Sequence, residues 1–302
     1  MTDILIIGGG PAGLTAAIYA ARAGRTVTVC ERESMGGQIT HAPKVSNYPG
    51  LNDISGVELG DKLCGHAMDL GAEIQFTAVT SLTKDENGIF HAETEDGPLE
   101  SKAVIFAGGA KPRPLGTPRE AEMVGRGISY CALCDGSFFR GQDVAVVGGG
   151  NSAFSDALFL AQVCRSVTLI HRRDSFRAEK AQIDAAQQAE NIRFLTSCTV
   201  DQLVGEDQLT AVTVKHADGS RENLPVSGLF VALGRVPDTE LISRLTQPDE
   251  SGYIPAGEDC HTDCAGLFVA GDCRSKLVRQ LTTATADGTV AATMACEYLD
   301  KL

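Results

Sequence analysis

The sequence predicts an α/β protein containing two Rossmann-like dinucleotide-binding domains. Three observations carry this: two glycine fingerprints in one register, an apolar strand-like run before each with a helix-like run after it, and a Cys-x-x-Cys between them. The first fingerprint, Gly8-x-Gly10-x-x-Gly13, follows the run Ile4 to Ile7; the second, Gly148-x-Gly150-x-x-Ala153, follows Val144 to Val147. A glycine cluster alone also makes ordinary turns. What distinguishes a nucleotide cradle is the strand before, the helix after, and a discriminating residue about 20 positions on. From Gly13 to Glu31 is 18 residues, through the alanine-rich stretch Leu14 to Ala23 and the strand Thr26 to Cys30. From Ala153 to His171 is also 18, through Phe154 to Val163 and the strand Val167 to Ile170, so the chain contains an internal structural repeat.

The residue ending each second strand separates the two ligands. Glu31 can accept hydrogen bonds from a ribose 2′-hydroxyl, which suits a nucleotide with an unphosphorylated ribose, FAD or NAD. The second unit has no acid there and reads His171-Arg172-Arg173, with Arg177 beyond. A carboxylate repels a 2′-phosphate, whereas guanidinium forks bind it by charge-assisted hydrogen bonds. At roughly 1.5–3 kcal/mol each, two such bonds favour NADPH over NADH by about a hundredfold or more. The competing reading of the arginines is a solvated basic face, which the shared register opposes.

At 302 residues the chain has room for two domains of ordinary size. Apolar residues make up 43% and charged residues 22%, as in a water-soluble globular protein. No signal peptide or transmembrane run is visible, so no membrane partner is expected. The net charge of −13 argues against nucleic acid as a partner, and any nucleotide site must be locally basic.

The chain has ten cysteines, scattered singly apart from Cys131 and Cys134, which indicates a reducing cytosol rather than a disulfide framework. Cys30, Cys64, Cys164, Cys198 and Cys296 lie in apolar surroundings and read as small buried hydrophobes. A zinc site joining Cys260, His261 and Cys264 to the central pair is the weaker reading, because the second cluster lacks Cys-x-x-Cys spacing; no metal is expected. The Cys131-Ala132-Leu133-Cys134 motif itself can be half a zinc site, a pair of buried thiols or a redox disulfide. Its place between two nucleotide fingerprints favours the third, and Asp135 can exchange the proton that dithiol chemistry needs.

Ordered along the chain are Gly8-Gly9-Gly10-Pro11-Ala12-Gly13, Gly36-Gly37-Gln38, Asn47-Tyr48-Pro49-Gly50, Gly127-Ile128-Ser129-Tyr130-Cys131-Ala132-Leu133-Cys134-Asp135-Gly136, Gly148-Gly149-Gly150-Asn151-Ser152-Ala153, His171-Arg172-Arg173-Asp174-Ser175-Phe176-Arg177-Ala178, and Gly271-Asp272 followed by Arg279-Gln280. In these segments the whole chain resembles the low-molecular-weight, bacterial-type NADPH-dependent thioredoxin reductases. The resemblance implies an FAD domain made from both ends of the chain, 1–114 and 239–302, with an NADPH domain, 115–238, inserted between them and carrying the redox disulfide. The Pro/Gly-rich stretch Lys111 to Gly116, after the strand Ala103 to Ala107, and Gly234 to Pro237, after the strand Gly228 to Leu233, mark the joints.

Carried over residue by residue, the FAD pyrophosphate lies over Gly10, Pro11, Ala12 and Gly13, and Glu31 takes the adenosine ribose. Gly37, Gln38 and Asn47 line the flavin, Asp272 meets the ribityl or pyrophosphate region, and Arg279 with Gln280 meets the ring system. NADPH lies over Gly150, Asn151, Ser152 and Ala153, with His171, Arg172, Arg173 and Arg177 about its 2′-phosphate. Cys134 is the sulfur nearest the flavin, Cys131 attacks the partner, and Asp135 is the acid/base. The implied partner is a thioredoxin, with the enzyme a cytoplasmic homodimer.

Some positions depart from the family pattern. Ala107-Gly108-Gly109 stands for the usual Ala-Thr-Gly, Ser155-Asp156 replaces a common Glu-Glu pair, and Asp238 stands where Asn is frequent. Cys273, after Asp272, reads either as a valine-like packing residue or as a thiol that modulates redox sensitivity. Dithiol oxidases and ferredoxin-dependent reductases of similar architecture generally lack the His-Arg-Arg…Arg cluster, which Arg172, Arg173 and Arg177 supply here. A non-enzymatic redox sensor is opposed by the intact Cys131/Cys134 pair and both fingerprints.

Overall fold

The structure, a computed structural model, describes residues 1–302 apart from Pro43 and Asn52. The chain adopts the expected α/β class with one unit inserted in another: Met1–Lys111 and Val236–Leu302 make the first, Pro112–Arg235 the second. Each crossing lies within three residues of the joints expected at 114/115 and 238/239.

In the first unit, Thr2–Ile7 is central to a seven-stranded sheet, paired in parallel with Val27–Cys30 on one side and Gly97–Phe106 on the other. Glu73–Gln75 extends the first edge. Ile4, Leu5 and Ile6 are fully buried, which is why a parallel strand covered on both faces reads as an unbroken apolar run. Gly97–Phe106 is ten residues long and serves two neighbours along its far edge. Its first half pairs antiparallel with Phe90–Thr94, its second half parallel with Leu267–Val269. The expected strand began only at Ala103, because the hairpin half alternates between exposed and half-buried residues and lacks the apolar signal.

The helix Pro11–Arg22 starts with Pro at its first turn, where a missing N–H costs nothing, and packs on Leu281–Leu299. The approach is close: a Cβ added at Gly288 would lie 2.2 Å from the Ala12 carbonyl oxygen. Ala16, Ala291, Ala292 and Ala295 are fully buried there. The alanine-rich composition of both helices follows from that spacing.

The second unit repeats the plan. Its sheet runs Ile192–Leu195, Ser166–Ile170, Asp143–Val147, Gly228–Val231, Ile128–Ser129, all parallel. The helix Asn151–Val163 follows the central strand, as Pro11–Arg22 follows Thr2–Ile7. An antiparallel sheet of Cys198–Val204, Ala211–His216 and Arg221–Pro225 precedes the fourth strand, where the first unit places its hairpin.

The Leu281–Leu299 helix also carries Asp287 into the interior. Its carboxylate accepts from the Gly271 N–H (3.0 Å), Arg274 Nε and Nη2 (3.1 and 2.9 Å) and Lys276 Nζ (2.7 Å). Burial opposes ionisation, but the two cations prevail and hold the group below the usual carboxylate range. Asp287→Asn leaves those cations facing each other without a counter-charge, and should cost about 3–5 kcal/mol in urea denaturation near neutral pH. The contribution of a depressed carboxylate is present above its unfolded-state value and is lost as pH falls through the folded one. The gap between parent and variant should therefore narrow below about pH 4.

Candidate functional site

In the first unit the strand Thr2–Ile7 delivers its chain to a turn that only glycines can make. Gly8 has φ +111°, and a Cβ there would lie 2.3 Å from the Ala107 carbonyl oxygen; one at Gly13 would lie 1.9 Å from the Gly8 carbonyl oxygen. Gly10, between them, is different: nothing lies within 4 Å of the Cβ position. The first and third glycines thus close the fold, while the second leaves open the space that a pyrophosphate would fill. The first N–H groups of the Pro11–Arg22 helix, at Ala12 and Gly13, have no intrahelical acceptor and favour an anion. This arrangement fits a bound dinucleotide.

Glu31, 9% exposed, lies against the turn and accepts from the Gly9 N–H through Oε2 (2.7 Å) and the Glu33 N–H through Oε1 (2.7 Å). Those bonds fix the carboxylate and leave lone pairs for ribose hydroxyls. Gly37 approaches Gly10, its Cβ position 3.1 Å from the Gly10 Cα, and begins the short helical turn that holds Gln38. Gly271 approaches Ala12, its Cβ position 2.9 Å from the Ala12 Cβ, which brings Asp272 to the same helix N-terminus. Asn47 Nδ2 donates to Gln280 Oε1 at 3.2 Å. Gly10 to Gly13, Glu31, Gly37 and Asp272 therefore gather around one helix N-terminus, and Asn47 is joined to Gln280.

The Arg279 side chain is engaged within the protein. Its guanidinium donates to the carbonyls of Asp272 (3.2 Å), Lys276 (3.0 Å) and Arg274 (3.3 Å) and stacks 4.0 Å from the Tyr253 ring centroid. It holds the loop that presents Asp272. Cys273 is fully buried, its thiol pushed up to about 12 by desolvation, which favours packing over redox sensing. Asp238 pairs with Arg32.

The second unit repeats this geometry with one change. A Cβ at Gly148 would meet the Ala153 Cβ and the Ala232 carbonyl at 2.6 Å, and again nothing lies within 4 Å at Gly150. His171 takes the place of Glu31 but turns inward. It is 8% exposed, its ring would lie 2.2 Å from a Cβ at Gly149, and its Nε2 is 3.1 Å from the Ser175 carbonyl. Burial, then the charges of Arg173, Arg172 and Arg177, lower its pKa and keep the ring neutral. Arg172, Arg173 and Arg177 are exposed, and among the described residues their side chains have no ion pair or hydrogen bond. The Arg177 N–H donates to the Gly149 carbonyl (2.8 Å), tying the basic loop to the cradle. Asn151 is bound to Glu179 (3.2 and 2.8 Å), and Ser152 is exposed at the helix start. Burial pushes the neighbouring Asp156 up to about 6, with Arg235 opposing.

Cys131 and Cys134 form a disulfide across the short helix Ala132–Asp135. Cys131 Sγ accepts from the Cys134 N–H at 3.2 Å. Asp135 closes the turn; burial raises its pKa, and a 2.6 Å hydrogen bond donated by Ser129 Oγ opposes that.

Sequence reasoning assigned no role to three residues. Ser129 was a member of a motif without a task. Glu120 is 6% exposed and accepts from the Leu115 and Gly116 N–H groups (2.7 and 2.8 Å) and the Tyr130 hydroxyl (2.6 Å). In the charged stretch Arg119-Glu120-Ala121-Glu122 nothing distinguishes it from a solvated neighbour. Asp287 carried no signal either, standing in a helix with no other acid until Glu297.

Known proteins give the same picture. The family model of the pyridine nucleotide-disulphide oxidoreductases matches residues 2–288. The thioredoxin reductase of Listeria monocytogenes is 39% identical over 99% of this chain and 94% of its own. A Clostridium pasteurianum protein described as a 34.2 kDa protein in the rubredoxin operon is 44% identical over 98% of this chain and 97% of its own. The crystal structure of thioredoxin reductase from Streptococcus pyogenes is similar with a TM-score of 0.96 and 38% identity, covering 100% of this chain and 99% of that one.

The open cradles yield a paired expectation. Gly10→Ala should leave the fold intact and weaken FAD binding by tenfold or more, because its methyl enters only the ligand's space. Gly13→Ala should lower stability itself, by about 3 kcal/mol or more, because strand and helix must part. Flavin retention and urea denaturation of both variants separate the two effects.

Proposed function

The chain belongs to the pyridine nucleotide-disulphide oxidoreductase family, and we propose that it is a thioredoxin-disulfide reductase whose electrons pass from NADPH through FAD and the Cys131–Cys134 disulfide. The observation that carries this is a disulfide with a half-buried acid on one turn, in the same unit as an open cradle flanked by three exposed arginines whose side chains have no hydrogen bond or ion pair among the described residues. The net reaction is NADPH, a proton and a thioredoxin disulfide giving NADP⁺ and the dithiol.

When bound, nicotinamide and flavin supply the two-electron chemistry that reduces the Cys131–Cys134 bond. The protein's share is placement, charge and thiol chemistry. Arg172, Arg173 and Arg177 recognise the 2′-phosphate, and neutral His171 packs the loop that carries them rather than binding phosphate itself. Glu31 selects an unphosphorylated ribose in the other cradle.

The Cys134 N–H that reaches Cys131 Sγ favours a thiolate on Cys131, which supports Cys131 as the attacking sulfur. Its attack on the partner's disulfide forms a mixed disulfide and releases one partner thiolate; Cys134 then displaces the other. Each released thiolate takes a proton. Asp135, whose burial keeps it protonated to higher pH than an exposed acid, can deliver one.

A cytosolic homodimer belongs to the same reading. Eight free cysteines beside a single disulfide suit a reducing compartment, and among the described residues no helix is long and apolar enough to cross a membrane.

Anaerobic stopped-flow mixing with NADPH should bleach the flavin absorbance, and oxidised thioredoxin should restore it. Bleaching without reoxidation removes thioredoxin as partner. Arg172→Ala/Arg177→Ala should raise KM for NADPH by roughly tenfold or more and leave that for NADH nearly unchanged; equal effects remove the 2′-phosphate assignment. Cys134→Ser should abolish thioredoxin reduction while NADPH still bleaches the flavin, and loss of both would reverse the order of the relay.

A further inference from the structure

Ser129 ends the two-residue strand Ile128–Ser129, pairs in parallel with Phe230 and is 4% exposed. The sheet therefore fixes its position, and the redox turn begins two residues on. Its hydroxyl touches that turn at both ends. The Cys131 N–H donates to Ser129 Oγ at 3.0 Å, and Ser129 Oγ donates to Asp135 Oδ2 at 2.6 Å. A hydroxyl has one proton; the Cys131 carbonyl is farther from it, at 3.3 Å, so the carboxylate receives it. Among the described residues no other group donates to the Asp135 side chain.

We propose that Ser129 is a positioning residue for disulfide exchange: one sheet-borne hydroxyl holds the carboxyl of Asp135 and the backbone of Cys131 in a fixed relation, in line for proton transfer at the turn. The proposal rests on Asp135 being the acid of the exchange. In the resolving step the Cys134 thiolate attacks Cys131 Sγ of the mixed disulfide. The Cys131–Cys134 bond forms, the bond from Cys131 to the partner breaks, and the partner sulfur leaves with the electron pair and takes the proton of Asp135. The new carboxylate is then the form that the Ser129 O–H binds. Because that bond favours the ionised form, its loss leaves burial unopposed, and Asp135 holds its proton to higher pH.

Ser129→Thr and Ser129→Val test this in the FAD-loaded enzyme. Both side chains suit a strand and are nearly equal in shape, and only threonine keeps the hydroxyl. Bound flavin content and circular dichroism establish that each variant is folded. The measurement is the pH profile of kcat for thioredoxin disulfide reduction, with Asp135→Asn alongside. The valine variant should show its alkaline limb moved to higher pH and a maximum reduced by roughly tenfold, and threonine should restore the parent profile. A valine profile with its limb unmoved, whatever its height, overturns the role of Ser129. If Asp135→Asn leaves the alkaline limb where it is, the acid itself is misassigned and the failure lies in the underlying reading.

Discussion

Nothing larger than a methyl group fits between the start of either nucleotide-binding helix and the strand that feeds it, and this close approach is what both sites depend on. In the first unit the Gly13 Cβ position falls 1.9 Å from the Gly8 carbonyl oxygen. In the second, Ala153 occupies the equivalent place and a Cβ at Gly148 would collide with it at 2.6 Å. The helix is pulled so near the sheet that its first N–H groups open beside the end of the central strand. The space above Gly10 and Gly150 stays empty of protein atoms for the same reason. A cradle for a dinucleotide is thus a by-product of packing strand and helix with at most a methyl group between them.

One scaffold used twice differs between its copies at a single telling position. Glu31 and His171 both directly follow the second strand and both lie against the middle glycine of their turn, Gly9 or Gly149. The acid accepts from backbone N–H groups and presents negative charge; the imidazole is buried, its pKa lowered, and three exposed arginines stand beside it. In a chain of net charge −13, exposed guanidiniums that have no carboxylate partner among the described residues are a local reversal of sign. The surrounding acid disfavours anions in general and leaves this loop as the place where a phosphate gains.

What was legible in the sequence was whatever repeats or depends on residue type at fixed spacing. The fingerprints, the strand runs, the discriminating residues and the Cys-x-x-Cys all follow from backbone geometry that few residue types satisfy. What was hidden depends on tertiary placement. Ser129, Glu120 and Asp287 are ordinary polar residues whose importance arises from burial and from partners supplied by other elements. Arg279 was found by motif, yet its guanidinium is engaged by three carbonyls and the Tyr253 ring, an arrangement spacing cannot foretell. The hairpin half of Gly97–Phe106 was missed because a half-solvated strand carries alternation too weak to read.

A protein that exchanges disulfides while holding eight other thiols must keep those thiols out of the exchange; burial does this for Cys30, Cys164, Cys198, Cys260 and Cys273, whereas Cys64, Cys264 and Cys296 are half-buried. Desolvation pushes Cys30 and Cys260 up to about 11 and Cys273 to about 12, so each stays a neutral thiol at physiological pH. Cys198 is the informative case. Its Sγ lies 3.1 Å from His216 Nδ1, and His216 Nε2 is 3.2 Å from Glu222, an alignment that elsewhere activates a nucleophile. Here the sulfur is also 2.9 Å from the Thr196 carbonyl, an acceptor that retains the proton, and the residue is 2% exposed. Burial and nearby acids raise its pKa. A base beside a sulfur is therefore insufficient. The Cys131–Cys134 turn is half-buried where Cys198 is enclosed, with an N–H aimed at one sulfur and an acid at its end, and reactivity follows from that environment rather than from the presence of cysteine.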